Sequence, residues 1–253
     1  MTVKKLYESL TEYFPENLRE EWDNDGIMCS PDLSADVNHV LVTLDVTEDV
    51  VDYAIETGCD LIVSHHPLIF KPIGALNEEN NVARKLIKLV SNNVSVFSFH
   101  TRADKATGGV NDILAKKLGL LSVSGFGEGE MGRIGTLPEE TPLDVFADNV
   151  KLFLGADAVK YADAYNDVRR VAVLGGDGKD FVRAAIEAGA DTYVSGRISY
   201  NVMEEAAELG INLIEAGHYF TEMPITERFS DLISSFDANI NVEMADSNMI
   251  KTI

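Results

Sequence analysis

Five histidines occur in the 253 residues, and two of them are adjacent, in "LIVSHHPL" at 61–68. Four of the five stand where an apolar, β-branched run stops: His65 and His66 after "DLIVS", His100 after "VSVFSF" and His218 after "INLIEAG". Such runs read as strands of a parallel sheet, and open α/β folds place ligands at the C-terminal edge of such sheets. Carboxylates accompany the histidines. Asp104 closes "HTRAD", and Glu222 lies four residues after His218 in "HYFTE", a spacing that puts both on one helix face. His65, His66, Asp104, His218 and Glu222 together supply three imidazoles and two carboxylates. Nitrogen and oxygen donors without thiolate suit Zn, Fe, Mn or Co. Adjacent loop histidines point apart, so His65 and His66 are expected to serve different ions with a carboxylate bridging them. Two ions roughly 3.5–4 Å apart can activate a water and polarise a substrate oxygen. A single strand-end histidine is more often a hydrogen-bonded turn residue, so the weight rests on the constellation. His39 precedes a strand and reads as surface.

The elements that must position these residues alternate short apolar runs with amphipathic stretches, the pattern of βα units and mostly parallel sheets. "HVLVTLDV" reads as a strand, and "TEDVVDYAIETG" as a helix with Thr47 as N-cap and Gly58 as C-cap. "DLIVS" is the next strand, "NNVARKLIKLVSNN" a helix, "VSVFSFH" a third strand and "GGVNDILAKKLGL" a further helix. The unit then recurs. Residues 40–64, "VLVTLDVTEDVVDYAIETGCDLIVS", align without a gap on 171–195, "VAVLGGDGKDFVRAAIEAGADTYVS", with eleven identities in 25 positions. Any two strand–helix–strand units share valines and a capping glycine. They do not share Glu56/Glu187, Asp60/Asp191 and Ser64/Ser195 in register, so a duplicated βαβ unit is expected. The copies part after the matched serine, one continuing "HHP" and the other "GRI".

The expected architecture is therefore α/β with two domains. Residues 1–125 with 211–253 would form the metal-binding domain, and 126–210 a smaller one. The Gly- and Glu-rich "SGFGEGEMGRIGTLPEETP" is the expected boundary, and the strand and helix of "INLIEAGHYFTE" are expected to rejoin the first sheet. A net charge of −21 argues against a nucleic-acid groove, where basic residues should dominate affinity. No stretch approaches the roughly 18 apolar residues of a membrane span. "MTVKKLYESLTEYF" reads as an amphipathic helix rather than a leader, which places the chain in the cytoplasm. Two cysteines, Cys29 and Cys59, form neither a disulfide framework nor a metal knuckle. "LGGDGKDF" lacks the spacing of a phosphate-binding loop and reads as a tight turn. "EEWDNDGIM", with the only tryptophan, reads as a packed edge. Ser64 and Ser195 lack a nucleophile-elbow context.

"EEWDNDGIM", "CDLIVSHHPLIF", "HTRAD", "RVAVLGGDG", "GADTYVSG" and "EAGHYFTE" occur in the order found in the dinuclear metal-centre hexameric proteins. That family is also known as GTP cyclohydrolase 1 type 2 homologues or Nif-three-like proteins. The chain resembles its short form, without an inserted domain, over nearly its whole length. The resemblance implies a homohexamer in which each subunit carries two divalent ions, with Zn, Fe or Mn as candidates. By motif it assigns the same ligands: His65, His66, Asp104, His218 and Glu222. It implies His100 as a proton shuttle beside them, Glu222 as a further catalytic group, and a small-molecule substrate, in its specific version the guanine ring of GTP opened by hydrolysis. A metal-binding scaffold, metal carrier or regulatory partner protein is the competing implication. Two departures stand out. Arg102 and Ala103 replace the family's usual Asn-Leu, adding a cation that would meet a phosphate or pair with a carboxylate. "SGRISYNV" carries Arg197 and Asn201 where the family commonly has Gly-Asp followed by histidine.

Overall fold

The computed structural model describes residues 1–252 and divides the chain into two units: 1–106 with 225–249, and 107–224 with the C-terminal residues from 250. The first holds helix α1 (Val3–Tyr13), strands β1 (Gly26–Cys29) and β2 (His39–Thr43), α2 (Glu48–Glu56), β3 (Leu61–Ser64), α3 (Asn81–Ser91), β4 (Ser95–Ser98) and α4 (Thr101–Lys105). The second holds α5 (Val110–Lys117), β5 (Leu121–Phe126), β6 (Gly132–Thr141), α6 (Leu143–Leu154), β7 (Lys160–Ala162), β8 (Val168–Leu174), α7 (Val182–Glu187), β9 (Thr192–Ser195), α8 (Tyr200–Glu208), β10 (Asn212–Glu215) and α9 (His218–Glu222). The chain then returns to the first unit with α10 (Ile225–Phe236) and β11 (Asn241–Ala245). Among the described residues, no helix is long and apolar enough to cross a membrane.

The first sheet runs β1-β4-β3-β2-β11, parallel except for β1. One face packs Leu41, Ile62 and Val96 against Val50, Val51 and Ala54 of α2 and Leu86 and Leu89 of α3, with Cys59 buried in the same cluster and Cys29 packed on it. Thr47 caps α2 by accepting from the Val50 amide at 3.2 Å, as the sequence pattern predicts; the C-cap is Thr57 rather than Gly58, which follows it at φ +71°. Thr2 likewise caps α1, which buries Val3, Leu6 and Leu10. Phe14, just beyond α1, meets Phe229 of α10 edge-on at 5.3 Å.

The second sheet runs β5-β6-β8-β9-β10-β7. Its β8-β9-β10 core is parallel and the flanking pairings are antiparallel. Both faces are buried. Val171 and Val173 point into a core with α5 and α6, whereas Ala172 and Leu174 point into one with α7 and α8.

Three expectations about organisation need correction. The divide falls at 106/107 and 224/225, not at 125/126 and 210/211. "SGFGEGEMGRIGTLPEETP" is no boundary but the β5–β6 hairpin. Its glycines permit close packing: a Cβ on Gly132 would lie 2.2 Å from the Phe126 ring. "INLIE" pairs with β9 of the second sheet, because its register matches the parallel core there. The strand that joins the first sheet is β11, on β2.

The duplication is visible in the pairing itself. Val40 opposes Leu61 and Thr43 opposes Ser64; 131 residues on, Val171 opposes Thr192 and Leu174 opposes Ser195. The shared aspartates do the same work in both copies. Asp60 Oδ2 accepts from the Asn38 and His39 amides at 2.7 and 3.0 Å, and Asp191 Oδ2 from Arg169 and Arg170 at 3.1 and 2.6 Å. Each ties the start of one strand to the start of the next. Nothing in the structure explains the shared glutamates.

Candidate metal centre

In the first unit, His65, His66 and His100 come together at the C-terminal ends of β3 and β4. One ring nitrogen of each lies within 4.8 Å of the others, and the ring centroids are 5.0–5.7 Å apart. Each ring is held through Nδ1. His65 Nδ1 is 2.8 Å from the Phe99 carbonyl oxygen, which can only accept, so Nδ1 carries the proton. His66 Nδ1 donates to Asp45 Oδ1 at 2.7 Å and His100 Nδ1 to Asp23 Oδ1 at 2.8 Å. A histidine that gives its Nδ1 proton to a carbonyl or carboxylate presents a basic Nε2 in fixed orientation, the usual backing of a metal-ligating imidazole. His65 is fully buried, and its Nε2 is 3.6 Å from Asp104 Oδ1. That is too long for a hydrogen bond. It is close to the ~3.4 Å that separates two donors on one tetrahedral ion at about 2.1 Å each. The donor set, its backing and this spacing fit divalent ions.

His66 and His100 differ in what backs them. Asp45 is itself held by Ser247, whose hydroxyl donates to Oδ2 at 3.2 Å. Asp23 is buried and accepts at Oδ2 from both the amide and the hydroxyl of Thr101, at 3.1 and 2.6 Å. Burial alone would push the Asp23 carboxyl up, but the bond from His100, the charge that ring carries when protonated and the Thr101 bonds outweigh it and hold it down at about 2. His100 moves the other way. Burial lowers it, yet the bond to Asp23 and the charges of Asp104 and Asp23 raise it on balance. The stretch "EEWDNDGIM", expected to be only a packed edge, thus supplies the residue that orients His100.

Arg102 faces no pocket. It is fully buried, donating through Nε to Asp25 Oδ2 at 3.0 Å and through its terminal nitrogens to the Phe14 carbonyl at 3.1 Å and the Tyr7 hydroxyl at 3.2 Å. Its guanidinium carbon lies 4.4 Å from the centre of the Phe99 ring. Of the two roles the sequence left open, pairing with a carboxylate is the one observed. His39, expected at the surface, pairs through Nε2 with Glu243 Oε1 at 3.0 Å across β2 and β11.

In the second unit, His218 and Glu222 lie four residues apart on α9, with Nε2 and Oε2 2.9 Å apart. The "LGGDG" turn is what seats them. The Gly175 amide donates to Asn111 Oδ1 at 2.8 Å and the Gly176 amide to Thr221 Oγ1 at 3.1 Å. A Cβ on Gly176 would lie 2.1 Å from Glu222 Oε1, and one on Gly196 would lie 2.8 Å from the His218 Cα. The turn reads correctly as tight, but its glycines clear space for the carboxylate and helix, which no spacing motif signals. Arg197 has an exposed side chain, 3.8 Å from Asp177 Oδ2, and Asn201 is exposed on α8.

Residues 1–253 match the family model described as Duf34/NIF3 (NGG1p interacting factor 3). The chain belongs to the DUF34/NIF3 family. A Clostridium acetobutylicum protein named GTP cyclohydrolase 1 type 2 homolog is 33% identical over 88% of this chain and 86% of its own length. A Clostridium perfringens protein of the same name is 31% identical over 92% and 91%. The crystal structure of a Bacillus cereus protein related to NIF3 superposes with a TM-score of 0.90 at 25% identity, covering all of this chain and 99% of that one. The two-sheet α/β architecture is thus a NIF3 fold.

Proposed function

We propose that this DUF34/NIF3 protein is a dinuclear metal-dependent hydrolase of a nucleotide or related small molecule. The observation that carries the reading is the Nδ1 backing of His65, His66 and His100, each by a separate acceptor. By the family resemblance, the ligands for two divalent ions, with Zn, Fe or Mn as candidates, are His65, His66, Asp104, His218 and Glu222. Such ions supply Lewis acidity and a water of lowered pKa. Around them, this chain's residues have separate tasks. Phe99 and Asp45 fix the rings of His65 and His66. Asp23 holds the Nδ1 proton of His100, so that Nε2 is the atom that gives or takes a proton during turnover. Glu222 would help hold metal. The clostridial relatives are named GTP cyclohydrolase 1 type 2 homolog, and the family resemblance supplies the specific version, hydrolytic opening of the guanine ring of GTP. By the family resemblance the protein works in the cytoplasm as a homohexamer.

The test is metal content and nucleotide loss after loading with Zn, Mn or Fe, for the parent and Glu222→Ala. Two ions per chain and a turnover abolished in Glu222→Ala are expected. Turnover that survives Glu222→Ala after its metals are lost refutes the catalytic assignment. Two bound ions with no turnover on a broad nucleotide panel would instead favour a metal-binding scaffold or carrier.

A further inference from the structure

Trp22 and Phe70 lie beside His100 and have no role in the account above. The indole is 61% exposed and the phenyl ring 46% exposed. Isolated exposed apolar side chains are ordinary; two aromatic rings exposed in contact with each other and with an imidazole of the centre are not. The three rings stand nearly at right angles to one another. Trp22 and Phe70 are 6.1 Å apart at 74°, Trp22 and His100 6.2 Å at 80°, and Phe70 and His100 6.1 Å at 89°. Their backbones are tied as well. Asn24 donates through its amide side chain to the Ile69 carbonyl, and Asp23, next to Trp22, anchors His100. The aromatic pair is therefore held at a fixed place relative to the imidazole cluster.

We infer that Trp22 and Phe70 form the wall on which a planar heteroaromatic ring of the substrate stacks, a nucleobase or a ring of similar size. Three mutually perpendicular rings let a fourth lie flat on one wall while meeting the other two edge-on, both favoured aromatic geometries. A ring flat on the exposed indole presents its edge towards His100, the group placed to move a proton. Indole and phenyl faces accept any planar ring, so this surface selects for a ring rather than for one base. The inference rests on the reading of the neighbouring centre as catalytic, and it names the class of substrate that centre receives.

Trp22 is the only tryptophan in the chain, so its emission reports the stack without a label. Metal-loaded protein is titrated with guanosine triphosphate, adenosine triphosphate, nicotinamide mononucleotide and tripolyphosphate, with ring absorption corrected against free indole. Saturable quenching is expected from ring-bearing probes and not from tripolyphosphate. Trp22→Ala should raise the dissociation constant of the quenching probe by about 5- to 150-fold, the range of single base–aromatic stacks. It should raise KM in step, with kcat and metal content unchanged, and Trp22→Phe should recover most of the loss. The proposal is overturned by a lack of saturable quenching from every ring-bearing probe. Equal calorimetric affinities in Trp22→Ala and the parent overturn it too. If Trp22→Ala changes the mass of the assembly in light scattering but not ligand affinity, the wall is a contact between copies and the proposal is also refuted. Quenching requires no turnover. Stacking in a protein that turns nothing over refutes only the hydrolase reading, whereas turnover with a KM indifferent to Trp22 refutes only the stack.

Discussion

Gly176→Ala separates the cost to the fold from the cost to the metal centre. Gly176 sits at φ +68°, where an L side chain is strained by about 1–2 kcal/mol. For a chain of this size, ~1 kcal/mol moves Tm by roughly 2–4 °C, so strain alone predicts a drop of about 2–8 °C. The added Cβ would stand 2.1 Å from Glu222 Oε1, 3.1 Å from Glu222 Cδ and 3.3 Å from His218 Nε2. Heavy atoms in contact settle at about 3.5–4.0 Å, so the carboxylate oxygen must retreat by more than about 1 Å. Because Oε1 ends a flexible side chain, the backbone is spared. A metal ligand, however, tolerates only about 0.2 Å. Metal affinity should therefore fall by more than the roughly 10- to 100-fold that loss of an outer hydrogen-bond partner costs. Gly155→Ala is the control, since Gly155 has φ +65° in the same unit and nothing within 4 Å of its built Cβ. Calorimetry should give similar Tm drops for both variants, and metal analysis in a buffered free-Zn series should show depletion in Gly176→Ala only. Equal metal occupancy in the two variants would refute Glu222 as a ligand.

Other consequences are testable in the same preparations. Asp45→Ala removes the acceptor at 2.7 Å from His66 Nδ1. It should weaken binding at one ion by about 10- to 100-fold, towards the low end because the Asp45 side chain is partly exposed; competition with a chelating dye that shows no change would remove His66 from the ligand set. Arg102→Met strips Asp25 of its buried cation and leaves only the half-exposed Arg19, 3.7 Å from Oδ1; breaking a buried pair typically costs about 3–5 kcal/mol. A Tm drop of roughly 6–20 °C is expected with metal content intact, and a drop below about 2 °C would contradict the buried-pair description. In metal-free protein, Asp23 is held at about 2 against an ordinary 3.8, so its ionised form stabilises the fold by about 2 kcal/mol above pH ~4. That contribution fades as pH falls through 2, so the stability gap between the parent and Asp23→Asn should be full at pH 7 and close in acid. A gap that stays constant from pH 5 to 2 would show that the carboxylate charge contributes nothing.

The histidine-bearing strand ends were legible because strand period and residue chemistry coincide there. A β-branched run followed by histidine states both where the sheet stops and what it presents. The capped helices were legible for the same local reason, as Thr47 and Gly58 lie within a few residues of the groups they satisfy. What the sequence pattern missed depends on pairing at a distance. Asp23 reaches His100 across 77 positions, and no local signal distinguishes it from Glu20 or Glu21 in the same acidic stretch. Arg102 looked like a pocket cation because its buried partner, Asp25, is equally remote. The domain divide was misplaced because glycine density was read as a linker. In β5–β6 the glycines instead let a hairpin close over Phe126. Strand "INLIE" could not be assigned to a sheet from composition, since either parallel sheet would bury it equally well. Only its register with β9 decides.

The duplication explains why the two copies look chemically unlike. The offset of 131 that aligns their strands also pairs His65 with Gly196, His66 with Arg197, and Asp45 with Gly176. In the first copy these positions carry a buried imidazole, a second imidazole and the carboxylate that orients it. In the second copy, two of the same three positions are glycines, and each glycine is where α9 makes its closest approach: Gly196 under the His218 Cα, Gly176 against the Glu222 carboxylate. The strand ends of one copy thus present imidazole side chains directly, while those of the other are stripped to backbone so that a short helix can present imidazole and carboxylate instead. A side chain at either glycine would fill the space that His218 or Glu222 occupies. Equally, a glycine at 65 would remove an imidazole, and one at 45 the carboxylate that orients His66. His65 with Asp45, and Gly196 with Gly176, are therefore two solutions, at equivalent positions, to the same demand for imidazole and carboxylate at a parallel sheet edge.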